Sequence, residues 1–225
     1  MILSSHQPNF LPYMGFFYKI YKSDCFVLSD DHQFSKNGMH NFNYIRIGDR
    51  KHRITVPVSY SFGDKIRDVR INYNRDWVSE LLKTLEINYK RATYFNDAFP
   101  VFETILKGNE DWLLLLNMKF IIEIIKQMKI ATEIKIARTF KLIQKKDKRI
   151  IELCNKLGAD TYYSGIGGKL YNNPKDYEKA GIKLIYTDYH ITEYPQIGKG
   201  FIENLSVLDW IFNMGFTIPE EWSKP

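Results

Sequence analysis

His6, Gln7 and Asn9 stand directly after a short apolar run, with Pro8 and Pro12 fixing the backbone among them. An imidazole takes or gives a proton near neutral pH, which is what freeing an amine or hydroxyl nucleophile requires. Carboxamides beside it offer a substrate both donors and acceptors. Stiff polar loops that leave a strand are where rigid scaffolds present such groups. The competing reading is that His6 and Gln7 satisfy main-chain groups at a strand end.

A second polar group, Asp30-Asp31-His32-Gln33, follows the apolar run Cys25 to Leu28. Adjacent side chains on an extended backbone point opposite ways, so at most one of the two carboxylates faces a site; Asp31, next to His32 and Gln33, is the candidate to orient His6. A third is Tyr162-Tyr163-Ser164-Gly165-Ile166-Gly167-Gly168-Lys169-Leu170-Tyr171. Its backbone N–H groups could cradle a phosphate or carboxylate, with Ser164 bonding it. The spacing matches neither the dinucleotide glycine fingerprint nor the P-loop, and a turn built on positive φ reads equally well. Near the end, Tyr194-Pro195-Gln196 has the character of a stiff recognition loop. Ser206 or Asn204 is placed to cap the last helix, within which Asp209 either faces solvent or bonds a site loop.

These groups need elements to hold them. Strand, loop, helix and strand follow in order over Ile2 to Leu28, with the helix over 15–22, a unit that sets both polar loops at the carboxyl edge of a parallel sheet, where ligands of open α/β sheets bind. Further strands are expected over 132–137, 159–163 and 182–187. A helix over 147–157, stopped by Gly158, would return the chain so that Ser164 leaves the same edge. Alternating runs around Gly48-Asp49-Arg50-Lys51 predict a β-hairpin over about 43–58, Arg67 to Ile71 a short strand, and the stretch of about 76–128 three helices. The first of these carries Trp77, Leu81, Leu82, Leu85 and Ile87. The fold expected is a mostly parallel, Rossmann-like α/β sheet flanked by helices, in one domain over 1–215 with the hairpin and a helical insertion, then a tail over 216–225.

A chain of 225 residues, 44% hydrophobic and 26% charged, suits one such domain. No run is long and apolar enough to span a bilayer and no basic leader precedes the first strand, so a cytoplasmic protein without a membrane partner is expected. Cys25 and Cys154 fit core positions better than a disulfide or nucleophile, and the histidines lack metal-binding spacing. No Ser/His/Asp signature or nucleophile elbow is present. The net charge of +6 favours an anionic partner such as a sugar nucleotide or RNA; DNA is not expected. Lys141, Lys145, Lys146, Lys148 and Arg149 form one basic run and Arg46, Arg50, Lys51 and Arg53 another, although each also reads as a solvated face.

Taken in order, His6-Gln7-Pro8-Asn9-Phe10-Leu11-Pro12, Asp31 to Phe34, Thr55-Val56-Pro57-Val58, Gly158-Ala159-Asp160 with Ser164-Gly165, Tyr194-Pro195-Gln196 and Leu205-Ser206-Val207-Leu208-Asp209 resemble the WbqC-like family of bacteria. The resemblance runs from Ile2 to about Gly215. It implies a place in surface-polysaccharide (O-antigen, lipopolysaccharide) biosynthesis: a transferase that moves an acyl or aminoacyl group, glycyl among them, onto the amine of a nucleotide-linked amino sugar. The donor would be an activated acyl compound or an aminoacyl-tRNA, with no resident cofactor assigned. In that reading His6 is the base and Asp31 orients it, while Gln7, Asn9, Gln33, Asn41, Arg46, Ser164, Gly165, Tyr171, Tyr194 and Gln196 bind substrate. Asn41-Phe42 stands where the family pattern has an Asn-Arg pair, which makes Arg46 the candidate replacement. Fold analogy to nucleotidylyltransferases gives a second reading, a nucleotidylyl or adenylate-forming enzyme. A non-catalytic RNA-binding module using the Lys141 to Arg149 run is a third, and a metal-dependent hydrolase a fourth.

Overall fold

The computed structural model describes residues 1–223. In chain order its elements are β1 (Ile2–His6), α1 (Met14–Tyr21), β2 (Cys25–Leu28), β3 (Phe42–Ile47), β4 (Arg50–Thr55), β5 (Val58–Ser59), β6 (Arg70–Ile71), α2 (Trp77–Tyr89), α3 (Phe95–Lys107), α4 (Leu113–Gln127), β7 (Glu133–Ile136), α5 (Lys146–Leu157), β8 (Thr161–Ser164), α6 (Pro174–Lys179), β9 (Lys183–Tyr186) and α7 (Val207–Met214). The chain divides into two compact units, the first built from 1–7, 15–31 and 130–190, the second from 8–14, 32–129 and the segment from 191 onward.

The first unit is a five-stranded sheet in the order β7-β2-β1-β8-β9, every neighbouring pair parallel. From β1 the chain moves outward through β2 to β7, then returns to the other side of β1 for β8 and β9. That is the doubly wound order, and its direction reverses between β1 and β8. Strand β2 is Cys-Phe-Val-Leu with all four residues buried, as expected where helices cover both faces of a parallel sheet. Leu3, Val27 and Tyr162 pack with Leu153, Cys154 and Tyr177 on one face. On the other, Phe16 of α1 meets Phe26 edge-on at 5.4 Å. Gly158 ends α5 at φ +69, the left-handed turn for which glycine carries no side-chain penalty. Asn173 caps α6 ahead of Pro174 in its first turn. Cys25 and Cys154 are free and buried, so the core reading of both holds.

The second unit takes in the hairpin and the helical segment that the sequence reading placed as insertions in one domain. They share a core with α7. Phe102 and Phe95 both pack against Phe212 of α7, at 5.7 and 5.1 Å, and Phe102 also meets Phe120 of α4. The hairpin β3–β4 turns on Gly48 and Asp49 alone, with Gly48 at φ +58, because Arg50 and Lys51 already pair with Ile47 and Arg46. Asp76 caps α2 through Ser79 N–H. Ile87, expected on the inner face of that helix, is 61% exposed, since the buried face follows Leu81, Leu82 and Leu85. Of the expected strand over 67–71 only Arg70–Ile71 pairs as a strand; a 3-10 turn occupies Ile66–Asp68. The tail carries a buried Trp222; its residues 224 and 225 lie outside the described residues.

Candidate functional site

The carboxyl edge of the five-stranded sheet carries the candidate polar loops of the first unit. His6 is the last residue of β1 and Ser164 the last of β8. The parallel register pairs Ile2 with Thr161 and Leu3 with Tyr162, and carried forward it sets His6 opposite Gly165. Neighbouring strands lie about 4.8 Å apart, so the two loops that leave them flank the reversal point of the sheet. The His6 ring stands edge-on to Phe16, with centroids 5.3 Å apart. Its Nδ1 lies 2.9 Å from the Gln7 carbonyl. A carbonyl only accepts, so Nδ1 carries the proton in that bond; in the neutral ring the lone pair is then on Nε2, the tautomer a general base needs.

Beyond β2, Ser29 N–H donates to the His6 carbonyl, which ties the two loops at the main chain. Asp30 is fully buried; it accepts from Arg138 N–H and pairs with the Arg138 guanidinium, each at 3.2 Å. The Asp31 oxygens both accept from Arg149 Nη2, at 2.6 and 2.8 Å. Asp31 thus has a partner that the sequence reading did not name, and Arg149 leaves the basic run in which it was counted. Lys141, Lys145, Lys146 and Lys148 remain exposed.

The glycine loop after β8 coils into a 3-10 turn, Ile166–Leu170. Ser164 is 3% exposed; its Oγ donates to the Gly165 carbonyl and accepts from Asn172 Nδ2 at 3.1 Å. Gly168 lies directly on this pair. A Cβ there would strike Ser164 Oγ and sit 2.7 Å from Asn172 Nδ2, whereas one at Gly167 would meet nothing within 4 Å. Gly168→Ala is therefore expected to cost about 1–3 kcal/mol through overpacking, with Gly167→Ala near neutral. Urea unfolding of the two variants checks this; equal midpoints would overturn it. Tyr171, at the far end of the turn, is 75% exposed.

In the second unit the proline loop is fastened by asparagines. Asn43 Nδ2 donates to the Phe10 and Leu11 carbonyls at 3.2 and 2.7 Å, and Asn117 Nδ2 to those of Pro8 and His40 at 2.9 and 2.7 Å. Asn9 is buried among them with its Oδ1 unbonded among the described residues. Asn41 donates to the Val56 carbonyl at 2.9 Å and accepts Val56 N–H on its own, closing the hairpin mouth. Gln33 is exposed and its main chain bridges to Lys65.

Arg46, read from the sequence as an anion contact, has a different task. All five of its N–H donors are spoken for: Nε by the Gly48 carbonyl, Nη1 by Gln196 Oε1 and the Gly200 carbonyl, and Nη2 by Asp49 and the Lys199 carbonyl, at 2.6–3.1 Å. The loop from Gln196 to Ile202 is wrapped about this guanidinium. Gly198, at φ +105, passes so close that a Cβ would lie 2.6 Å from Nη2. Gln196 in turn accepts Ile202 N–H and donates to the Ile202 carbonyl. Tyr194 donates to Asp209 at 2.8 Å and Tyr89 to its other oxygen at 2.7 Å, while Tyr89 accepts Arg46 N–H. Burial raises the Asp209 carboxyl and lifts the Tyr89 hydroxyl well above its ordinary range. The chain's Tyr-Pro-Gln and Leu-Ser-Val-Leu-Asp motifs are joined by one buried network. Ser206, within the second of these motifs, caps α7 and gives its hydroxyl to the Leu11 carbonyl at 2.8 Å.

Sequence reasoning passed over two groups. Asp188, after β9, accepts from the Tyr18 and Tyr163 hydroxyls, both at 2.8 Å, and nothing in its surroundings in the sequence marks it. Lys19 is 6% exposed on α1, and its signal was present: it is the only charged residue of an otherwise aromatic and aliphatic helix. Among the described residues no cluster of three or more His, Cys, Asp or Glu is arranged to hold a metal ion, and no helix is long and apolar enough to cross a membrane.

Strand order and the polar groups at the reversal point define a doubly wound α/β protein whose candidate ligand position lies between β1 and β8. The model of the WbqC-like protein family matches residues 7–220, and the chain belongs to that family. It is also similar to an uncharacterised protein of Mycobacterium tuberculosis, 30% identical over 218 residues, which span 95% of this chain and 94% of that protein.

Proposed function

We propose that the protein is a transferase of bacterial surface-polysaccharide biosynthesis that transfers an acyl or aminoacyl group, glycyl among the candidates, to the amine of a nucleotide-linked amino sugar. The observation that carries this reading is that β1 and β8 run side by side and parallel at the sheet's reversal point, so that the loops following His6 and Ser164 leave the same edge. A base and a glycine turn on adjacent strand ends suit a substrate with a reacting group at one end and an anion at the other. Family membership supports the link to polysaccharide biosynthesis. In the reaction the His6 imidazole takes the proton from the sugar amine as its nitrogen attacks the donor's activated carbonyl, and the donor's leaving group departs with the electron pair. Gln7 and Tyr171 border the sugar, Ser164 and Gly165 the anion, and Asp31 holds the loop beside the base.

The test is direct. The purified chain is incubated with a nucleotide-linked amino sugar and a panel of acyl-thioester, acyl-adenylate and aminoacyl-tRNA donors, and the sugar nucleotide is weighed by mass spectrometry. A gain of one acyl or aminoacyl group on the amine is expected; no gain with any donor overturns the reading. The doubly wound strand order also favours a nucleotidylyl or adenylate-forming enzyme, for which release of diphosphate from a nucleoside triphosphate is the separating result.

A further inference from the structure

Helix α1 presents an apolar surface almost all round, and its one charged side chain, Lys19, is turned into the protein. The Lys19 ammonium has three donors to place, and one goes to the Ser5 carbonyl at 2.7 Å, the residue before His6 on β1. No carboxylate among the described residues acts on it; burial alone brings the amine down from 10.5 to about 7. The second observation comes from the neighbouring strand end. A Cβ built on Gly165 would have Lys19 Nζ as its nearest heavy atom, at 4.0 Å, and the space at Gly167 is open. The glycine turn after β8 therefore looks onto a buried amine with unused donors.

We infer that Lys19 and the Gly165 turn form an oxyanion site for a phosphoryl group at the reversal point between β1 and β8. The inference rests on the transferase reading only for the identity of the molecule carrying the phosphate. A lysine buried without a carboxylate is poised for a ligand that brings the counter-charge, and backbone at glycines lets a phosphate approach closely. Among the described residues, the titratable groups on this side of the sheet include Tyr18 of α1, with Lys22 and Tyr189 against its ring, His6 on β1, Tyr163 on β8 and Asp188 after β9, and Asp188 is already held by Tyr18 and Tyr163. A dianion arriving at Lys19 thus draws a proton onto the amine from solvent.

The experiment is calorimetric titration of the whole chain at pH 8 with uridine diphosphate and, separately, inorganic phosphate, each in two buffers of different ionisation enthalpy. Uridine diphosphate is expected to bind with uptake of close to one proton, and Lys19→Met to lower its affinity by about 10–100-fold and abolish the uptake, the loss of one charge-assisted bond. Binding of inorganic phosphate with the same uptake assigns the site to the phosphoryl group alone; binding confined to the diphosphate assigns it to the nucleotide. Binding without proton uptake, binding unchanged in Lys19→Met, or no binding of either probe overturns the inference. The wild-type proton count stands even if the variant does not fold. Lys19-dependent binding without acyl transfer defeats the transferase reading alone, and acyl transfer that ignores Lys19 defeats this site alone.

Discussion

Replacing His6 with alanine is expected to lower the rate of amino-sugar acylation by about a hundred- to ten-thousand-fold, the usual worth of a positioned general base. The geometry says why so much hangs on one ring. Phe16 stands edge-on to it and the Gln7 carbonyl takes Nδ1–H, so in the proposed reaction the neutral imidazole would meet the substrate already oriented, with its lone pair on Nε2. Little of this contributes to folding, because His6 sits half-buried at a strand end. The melting temperature of His6→Ala should accordingly stay close to that of the parent. His6→Gln separates the two roles the ring can have. If His6 only holds a ligand, the glutamine variant keeps kcat and loses KM; if it moves a proton, kcat falls in both variants. An alanine variant with unchanged turnover removes His6 from the chemistry.

Arg46→Met is expected to unfold about 3–5 kcal/mol more easily, the range for a buried group whose loss strands several polar partners. The side chain is 3% exposed, and methionine fills much of its apolar volume without supplying a donor. The carbonyls of Gly48, Lys199 and Gly200 would then be left without the donor that now satisfies them, and Gln196 Oε1 would keep only the Ile202 N–H. Asp209 would lose a nearby positive charge that helps keep its buried carboxyl ionised. Asp49, by contrast, is 70% exposed on the side-chain measure, so Asp49→Ala should shift stability by less than about 1 kcal/mol. Denaturant melts give both numbers, and hydrogen exchange should show the amides of 196–202 opening first in the methionine variant. Equal midpoints for the two variants would show that the guanidinium does not hold this loop.

Much of the first unit can be read from the chain because its signals are local. Cys25 to Leu28 is an uninterrupted apolar run, Gly158 can only end a helix there, and Ser164 follows a strand pattern directly. The carboxyl-edge position of His6, Asp31 and Ser164 follows from the parallel order of these elements. What the sequence did not show is decided by burial of polar groups, which has no periodicity. Arg46 sits among Arg50, Lys51 and Arg53 and reads as part of a wet basic strand, yet it alone is enclosed, because the loop that covers it lies some 150 residues further on. Arg149 likewise pairs with an aspartate 118 positions away. The boundary that sends Gln7 to one unit and Pro8 to the other has no compositional mark either.

The order in which the sheet is assembled follows from its strand order. β1 is its middle strand, and one of its neighbours, β2, is made almost at once, but the other, β8, begins at Thr161. Between them the whole of 32–129 must be synthesised and collected elsewhere. Until β8 arrives, one edge of β1 has no main-chain partner from the finished sheet, and an unpaired strand edge recruits other chains. At the ribosome the nascent chain should thus pass through a long interval in which one edge of the strand that ends in His6 stays open, until residue 161 and those after it emerge.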